Sequence, residues 1–290
     1  MSSSLNKADW RKPTITATRS QRIQVAQSAI EKALSNLRGD GLFSTSFYAS
    51  AVLYSDMAEF DFVSNGTRYK DQLARFLQLR AEETLASNST RVCLFPLFLF
   101  PLPPNDNSHV PIQATQDLLE LGHAAIRAYA AYRDNVFLGL AIDWWQWARA
   151  WTVSDSASSS HTAPGKSAPL PSSCSGLPIV GGTFQDTGPT NSHVQTLPTG
   201  NFLVLSSLLS EATLNQTYLD QATQTFYFFQ RLLLDTMTTI PQESIFLNAS
   251  DTKLCSTDPP AASYCSGIWI EGLATFSRVA DRSSKPDEQL

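Results

Sequence analysis

Apolar residues recur every three to four positions along most of the chain, the spacing of a helix that buries one face. The most tightly specified stretch is 124–152. From Ala124 to Tyr132, Ala, Ile and Tyr fall on successive turns. Further on, Leu138, Ile142, Trp145 and Arg149 lie about one turn apart. Between the two runs sits polar Tyr132-Arg133-Asp134-Asn135. The spacing therefore predicts two helices joined at a short polar corner, an αα-hairpin. Trp144, Trp145 and Trp147 need apolar cover on more than one face of the second helix.

The same periodicity predicts helices over 21–37, 46–60, 69–85, 202–212, 218–234 and 266–279. In the first, Ile23, Ala26, Ile30, Ala33 and Leu37 form one stripe, and Gly39-Asp40-Gly41 stops it. Residues 154–175 read as a long Ser/Pro-rich loop, and Gly181-Gly182-Thr183-Phe184-Gln185 as a turn where backbone approaches closely. No convincing strand hairpin emerges. The expected class is all-α, about eight helices in antiparallel hairpins. The expected organisation is a polar leader over 1–20, one helical domain over 21–280, and a polar tail over 281–290. Residues 92–110 are an irregular insertion. Within them the stretch from Val92 to Pro104 is intensely apolar, but Pro96, Pro101, Pro103 and Pro104 forbid a helix or inner strand. Two readings stand: translated intron, whose pyrimidine-rich codons give Leu, Phe and Pro, or an apolar loop on the surface.

Composition narrows the functional classes. Hydrophobic residues make up 42% of the 290 and charged residues 16%, which suits a packed globule. The net charge is -5 and no basic stripe occurs, so nucleic acid is not the expected partner. No run approaches the roughly 20 apolar residues of a membrane span, so no membrane partner is expected. The four cysteines, Cys93, Cys174, Cys255 and Cys265, form no CxxC pair and there are four histidines, so neither a metal nor another cofactor is expected. Cys255 and Cys265 flank a short Pro-containing loop and read either as a bridge or as free buried thiols. Sequons begin at Asn65, Asn88, Asn215 and Asn248. The first 22 residues have no apolar core and so show no signal peptide.

Four segments in order resemble glycoside hydrolase family 76, the endo-α-1,6-mannanases. Tyr132-Arg133-Asp134-Asn135-Val136-Phe137-Leu138-Gly139-Leu140-Ala141 is similar to that family's Asp-Asp-Asn-x-Trp-Trp-Gly-Leu-Ala signature. Cys174 to Gln185, with its Gly181-Gly182-Thr183-Phe184, is similar to its Cys-plus-glycine segment, and Thr196 to Glu211 resembles its next helix opening. Ser266-Gly267-Ile268-Trp269-Ile270-Glu271-Gly272-Leu273 resembles a segment of fungal, especially basidiomycete, members. The resemblance implies an (α/α)6 barrel around an elongated cleft, incomplete at the C-terminus because about eight helices are countable. It implies a mannan-type polysaccharide as partner, retaining hydrolysis by two adjacent aspartates, and a secreted, wall-associated location.

The resemblance makes Asp134 the catalytic carboxylate, normally the acid/base, and puts Arg133 where the nucleophile would stand. A cation there would lower the Asp134 pKa, whereas a general acid needs it raised. Asp61, Asp143, Asp186 and Glu271 are the other carboxylates considered; Asp143 lies half a turn round from Asp134. Substrate contacts are expected from Trp145, Phe184, Gln185, Gln195 and Glu271. Plainer readings stand beside these: Asp134 as a helix N-cap, the tryptophans as core, Glu271 as a satisfied structural carboxylate, and His123 and His193 as loop or surface residues. A non-catalytic glycan-binding protein is the alternative function.

Overall fold

The computed structural model describes residues 16–85, 114–235, 237–259 and 263–283. The apolar segment 92–104, most of the leader and most of the tail lie outside them. Helices are α1 (Arg19–Leu34), α2 (Phe47–Ser64), α3 (Lys70–Leu85), α4 (Thr115–Tyr132), α5 (Asn135–Ala150), α6 (Asp155–Ser160), α7 (Thr196–Thr213), α8 (Gln216–Phe228) and α9 (Ser263–Ser283). A π-helical turn, Phe229–Leu233, extends α8. The antiparallel strands β1 (His193–Gln195) and β2 (Ser244–Phe246) pair Val194 with Ile245. Three-residue strands are too short to show alternation in the sequence.

Helices α2, α4, α7 and α9 run parallel in the centre. Ser55 of α2 meets Glu120 of α4, and further along Tyr132 meets Asp61. Gly122 of α4 lies against Leu205 of α7. Trp269 donates to the Thr196 carbonyl near the start of α7, while Arg278 pairs with Glu211 near its end. Helices α5 and α8 return on the outside, each after a corner of two residues or fewer. The corners share one device: α2, α4 and α7 end on Asn65, Arg133 and Leu214, all left-handed, with φ of 58°, 52° and 56°. The predicted hairpin over 124–152 is thus α4–α5, though α4 starts nine residues before the stretch that first suggested it.

The opposite end carries the long connections. Ala114 bridges Asp186, Thr115 N–H donates to the Gln185 carbonyl, and β1 leads straight into α7. Beneath these loops a second apolar cluster gathers Ile179, Phe184, Val194, Phe229 and Trp269, with Phe229 and Trp269 stacked. Cys174 and Cys255 form a disulfide there, with Cα atoms 5.5 Å apart, and Cys265 is a free buried thiol. The bridge considered between Cys255 and Cys265 is therefore not made. Cys265 lies inside α9 and faces the interior, while Cys255 is held in the loop against residue 174.

Candidate functional site

The loop-bearing end of the central helices collects acidic side chains. Asp117 lies in the first turn of α4. Burial raises its pKa to about 6; a hydrogen bond from Gln116 opposes this and the neighbouring charge of Glu120 adds to it. Glu120 stands three residues on and is only 4% exposed. Side chains at that spacing share a helix face, with Cβ atoms about 5–6 Å apart. Tyr48, near the start of α2, has its pKa raised by burial and then by the charges of Glu120 and, further down, Asp117. Two carboxyl groups, one of them with a pKa raised toward neutrality, are the equipment of acid–base chemistry at a glycosidic oxygen.

Below this pair the charges interlock. His123 Nδ1 lies 3.3 Å from Glu120 Oε1, and Nε2 lies 3.0 Å from Glu271 Oε1 of α9. Arg127 reaches Glu271 and places Nε 3.2 Å from Glu59 of α2. Burial lowers the basicity of His123, but the hydrogen bonds and charges of Glu120 and Glu271 reverse this and lift its pKa to about 9. Burial pushes Glu271 upward, and His123 and Arg127 outweigh it and bring it to about 2. His123, expected as a loop or surface residue, is instead buried in the interior face of α4. Among the described residues no group of His, Cys, Asp or Glu is arranged to hold a metal ion.

The residues singled out from the sequence are dispersed. Asp134 caps α5, accepting from Val136 N–H at 3.1 Å, and pairs with Lys70 at 2.9 Å. The Lys70 hydrogen bond first, then that from Val136, lowers its pKa. It lies at the short-corner end, 17 residues and about 25 Å of helix from Asp117. Arg133 is exposed and left-handed, its guanidinium 5.6 Å from the Tyr129 ring centroid. Trp145 is interior: its indole N–H donates to Ser206 at 2.8 Å and its ring stacks on Phe202. Phe184 is buried under Lys166, whose Nζ lies 4.6 Å from the ring centroid. The structure brings Gln185, Gln195 and Glu271 to the same end or interior as Asp117. The Gln185 carbonyl receives Thr115 N–H and Gln195 donates to Glu243 at 2.9 Å. A separate pocket of about 360 Å³, lined by Ser154, Ser156, Ser160 and Thr162 among others, offers hydroxyls and no titratable side chain.

Asp117, Glu120 and Arg127 were not singled out in the sequence, and His123 was read only as a loop or surface residue. A signal was present. The spacing from an aspartate to Gly five residues on and Ala seven residues on occurs twice, as Asp134-Gly139-Ala141 and as Asp117-Gly122-Ala124. The second instance opens a central helix. There Gly122 is required, because a Cβ would come within 2.6 Å of Leu205 Cδ2.

No family profile matches the chain, and no curated protein matches it at a significant level. Solved structures do. The GH76A α-1,6-mannanase of Salegentibacter sp. HEL1_6 superposes with a TM-score of 0.63 at 12% identity over 88% of this chain and 64% of its own. An inactive variant of that enzyme, with two adjacent aspartates replaced, was solved with α-1,6-mannotriose at the same similarity. Dfg5 of Chaetomium thermophilum, in complex with glucosamine, gives 0.65 at 12% identity over 96% of this chain and 64% of its own. The mannosidase Bt3792 of Bacteroides thetaiotaomicron, from glycoside hydrolase family 76, gives 0.61 at 14% identity over 92% and 68%. The chain has the family 76 fold, an (α/α)6-barrel architecture, and spans about 64% of the length of the first of these structures.

Proposed function

We propose that this chain acts on α-1,6-linked mannan-type glycans at the loop-bearing mouth of its central helices. In this reading Asp117 donates the proton to the leaving oxygen and Glu120 is the partner carboxylate. The observation that carries the reading is Asp117 itself: a carboxyl raised by burial to about 6, in the first turn of a central helix, with a second carboxylate one turn on. A general acid works best with a pKa near the working pH. Asp134 lacks this property, since Lys70 and the α5 backbone hold it low. The fold shared with mannanases supports the substrate class. The disulfide between Cys174 and Cys255 supports an oxidising, extracellular location, and the motifs shared with fungal members support cell-wall mannan as the material.

A second reading, glycan binding without cleavage, draws on a different observation. Glu120 and Glu271 are both engaged by His123, and Glu271 also by Arg127, so neither is an unpaired nucleophile. One experiment separates the two. The full chain is incubated with α-1,6-mannotriose and mannotetraose between pH 4 and 8, products are resolved by chromatography, and binding is followed calorimetrically. Hydrolysis through a protonated Asp117 yields shorter sugars below about pH 6, fades above it, and disappears in Asp117→Asn. Binding without products establishes the second reading. Neither binding nor cleavage refutes both.

A further inference from the structure

We infer that His123 is a positioning residue which, as an imidazolium, clamps Glu120 of α4 to Glu271 of α9 across the interior of the helical ring; the inference rests on the reading of Glu120 as the partner carboxylate at the mouth. The geometry favours the charged form. Both ring nitrogens face carboxylate oxygens, at 3.3 and 3.0 Å. A neutral imidazole has one N–H and one lone pair, so it would turn a lone pair on one of the two carboxylates. The ring is 7% exposed, so water cannot relieve that contact.

The groups facing His123 come from every helix around it. Glu120 and Arg127 share its own helix, Asp56 and Glu59 face it from α2, and Glu271 faces it from α9. Helix α7 lies between α4 and α9 and contributes no charge to this cluster; its Glu211 is taken by Arg278 and Arg282. Acid charge thus exceeds base charge around the ring, which is why burial fails to neutralise His123 and its pKa rises to about 9. Arg127 Nε also lies 3.0 Å from His123 Nε2. Its N–H is directed at that nitrogen and competes there with a ring proton, and Glu59, 3.2 Å from Arg127 Nε, is the carboxylate it turns to when Nε2 is protonated. Without the imidazolium, Glu120 would keep only a 3.4 Å contact with the Ser55 hydroxyl, and nothing would hold its carboxylate in place beside Asp117.

The test is a ¹⁵N-imidazole NMR titration of the full chain, whose four histidines make assignment tractable, with His123→Gln identifying the signal. Both His123 nitrogens should be protonated at pH 7, with a midpoint near 9. Glu271→Gln should lower that midpoint by at least one pH unit, a tenfold loss of proton affinity, and Glu271→Asp should restore most of it. Affinity for α-1,6-mannotriose should fall at least tenfold in His123→Gln and in Glu271→Gln, with wild-type affinity falling as pH passes the His123 midpoint. A single protonated nitrogen at pH 7, a midpoint at or below the ordinary histidine value, or no effect of Glu271→Gln overturns the clamp. A high midpoint with mannotriose affinity unchanged in both variants overturns the positioning role and leaves a structural ion pair. A wild-type chain that binds no saccharide refutes the functional reading and the positioning role with it, while the NMR arm still decides the ion pair.

Discussion

The disulfide makes the sharpest demand on the measured stability. Cys174 and Cys255 are 81 residues apart, and their bond ties the long loop after α6 to the segment beyond β2. In the chain-entropy treatment, closing a loop of that length removes about 4.5 kcal/mol of unfolded-state freedom at 25 °C. The rejected pairing, Cys255 with Cys265, would close so short a loop that only about 2.7 kcal/mol is available. Reduction and alkylation should therefore cost roughly 4–5 kcal/mol in guanidinium unfolding. At about 2–4 °C per kcal/mol for a domain of this size, the melting temperature should drop by roughly 9–20 °C. Cys255→Ser should reproduce the loss, whereas Cys265→Ser, which breaks no bond, should stay within about 1 kcal/mol. Non-reducing peptide mapping should recover Cys174 and Cys255 in one linked fragment. A stability loss below about 1 kcal/mol on reduction, or a map joining Cys255 to Cys265, would refute the reasoning.

Other consequences can be measured in the same way. Lys166→Met should destabilise the chain by about 2–4 kcal/mol and speed amide exchange over 183–195, because the carbonyls of Asp186 and Gly188 each lose a 2.8 Å donor. Gly122→Ala should cost about 1–3 kcal/mol, since the new Cβ meets Leu205 at 2.6 Å, and Leu205→Ala in the same chain should recover part of it. The His123 charge sets a pH window. Its folded pKa, about 9, lies above the unfolded value of 6.5, so its stabilisation is complete below 6.5 and is lost as pH rises to 9. Urea unfolding should record a decline of about 3 kcal/mol across that window in wild type, at roughly 1.4 kcal/mol per unit, and a flat response in His123→Gln.

The hairpin α4–α5 was legible because its apolar spacing is long and its corner is polar. Helix starts were less so. Helix α7 opens at Thr196, six residues before the predicted start, through Pro198, Thr199, Gly200 and Asn201. These residues have poor helix propensity, and packing overrides it: Gly200 lets Ile268 and Trp269 of α9 approach so closely that a Cβ would sit 2.8 Å from Ile268. Helix α4 opens with Gln116, Asp117 and Glu120, polar residues that weaken an apolar period. Glu120 turns toward the interior of the ring, against Ser55 and His123, whereas a periodicity argument assigns polar faces to solvent. The tryptophans show the converse. Trp144 and Trp145 read as core ahead of sugar platforms, and the structure packs both in the core. The disulfide was hidden because proximity in sequence favours the short loop, and only the fold brings residues 174 and 255 together.

The two aspartate–glycine–alanine spacings differ in what surrounds them. A cleft needs chain to build its walls. At the Asp134 end the connections from α4 to α5 and from α7 to α8 are two residues each, and left-handed Arg133 and Leu214 turn the backbone directly into the next helix. There Asp134 accepts from the α5 N-terminus and pairs with Lys70. At the Asp117 end, described residues of the long connections meet the helix starts: Thr115 N–H of α4 donates to the Gln185 carbonyl and Thr196 N–H of α7 to the Glu243 carbonyl. Burial raises the Asp117 pKa toward 6, and the loop segment at Gln185 is hydrogen-bonded to α4 at Thr115, two residues from it. Repetition of one spacing in sequence thus yields a helix-capping carboxylate at one end of the ring and a carboxyl of raised pKa at the other.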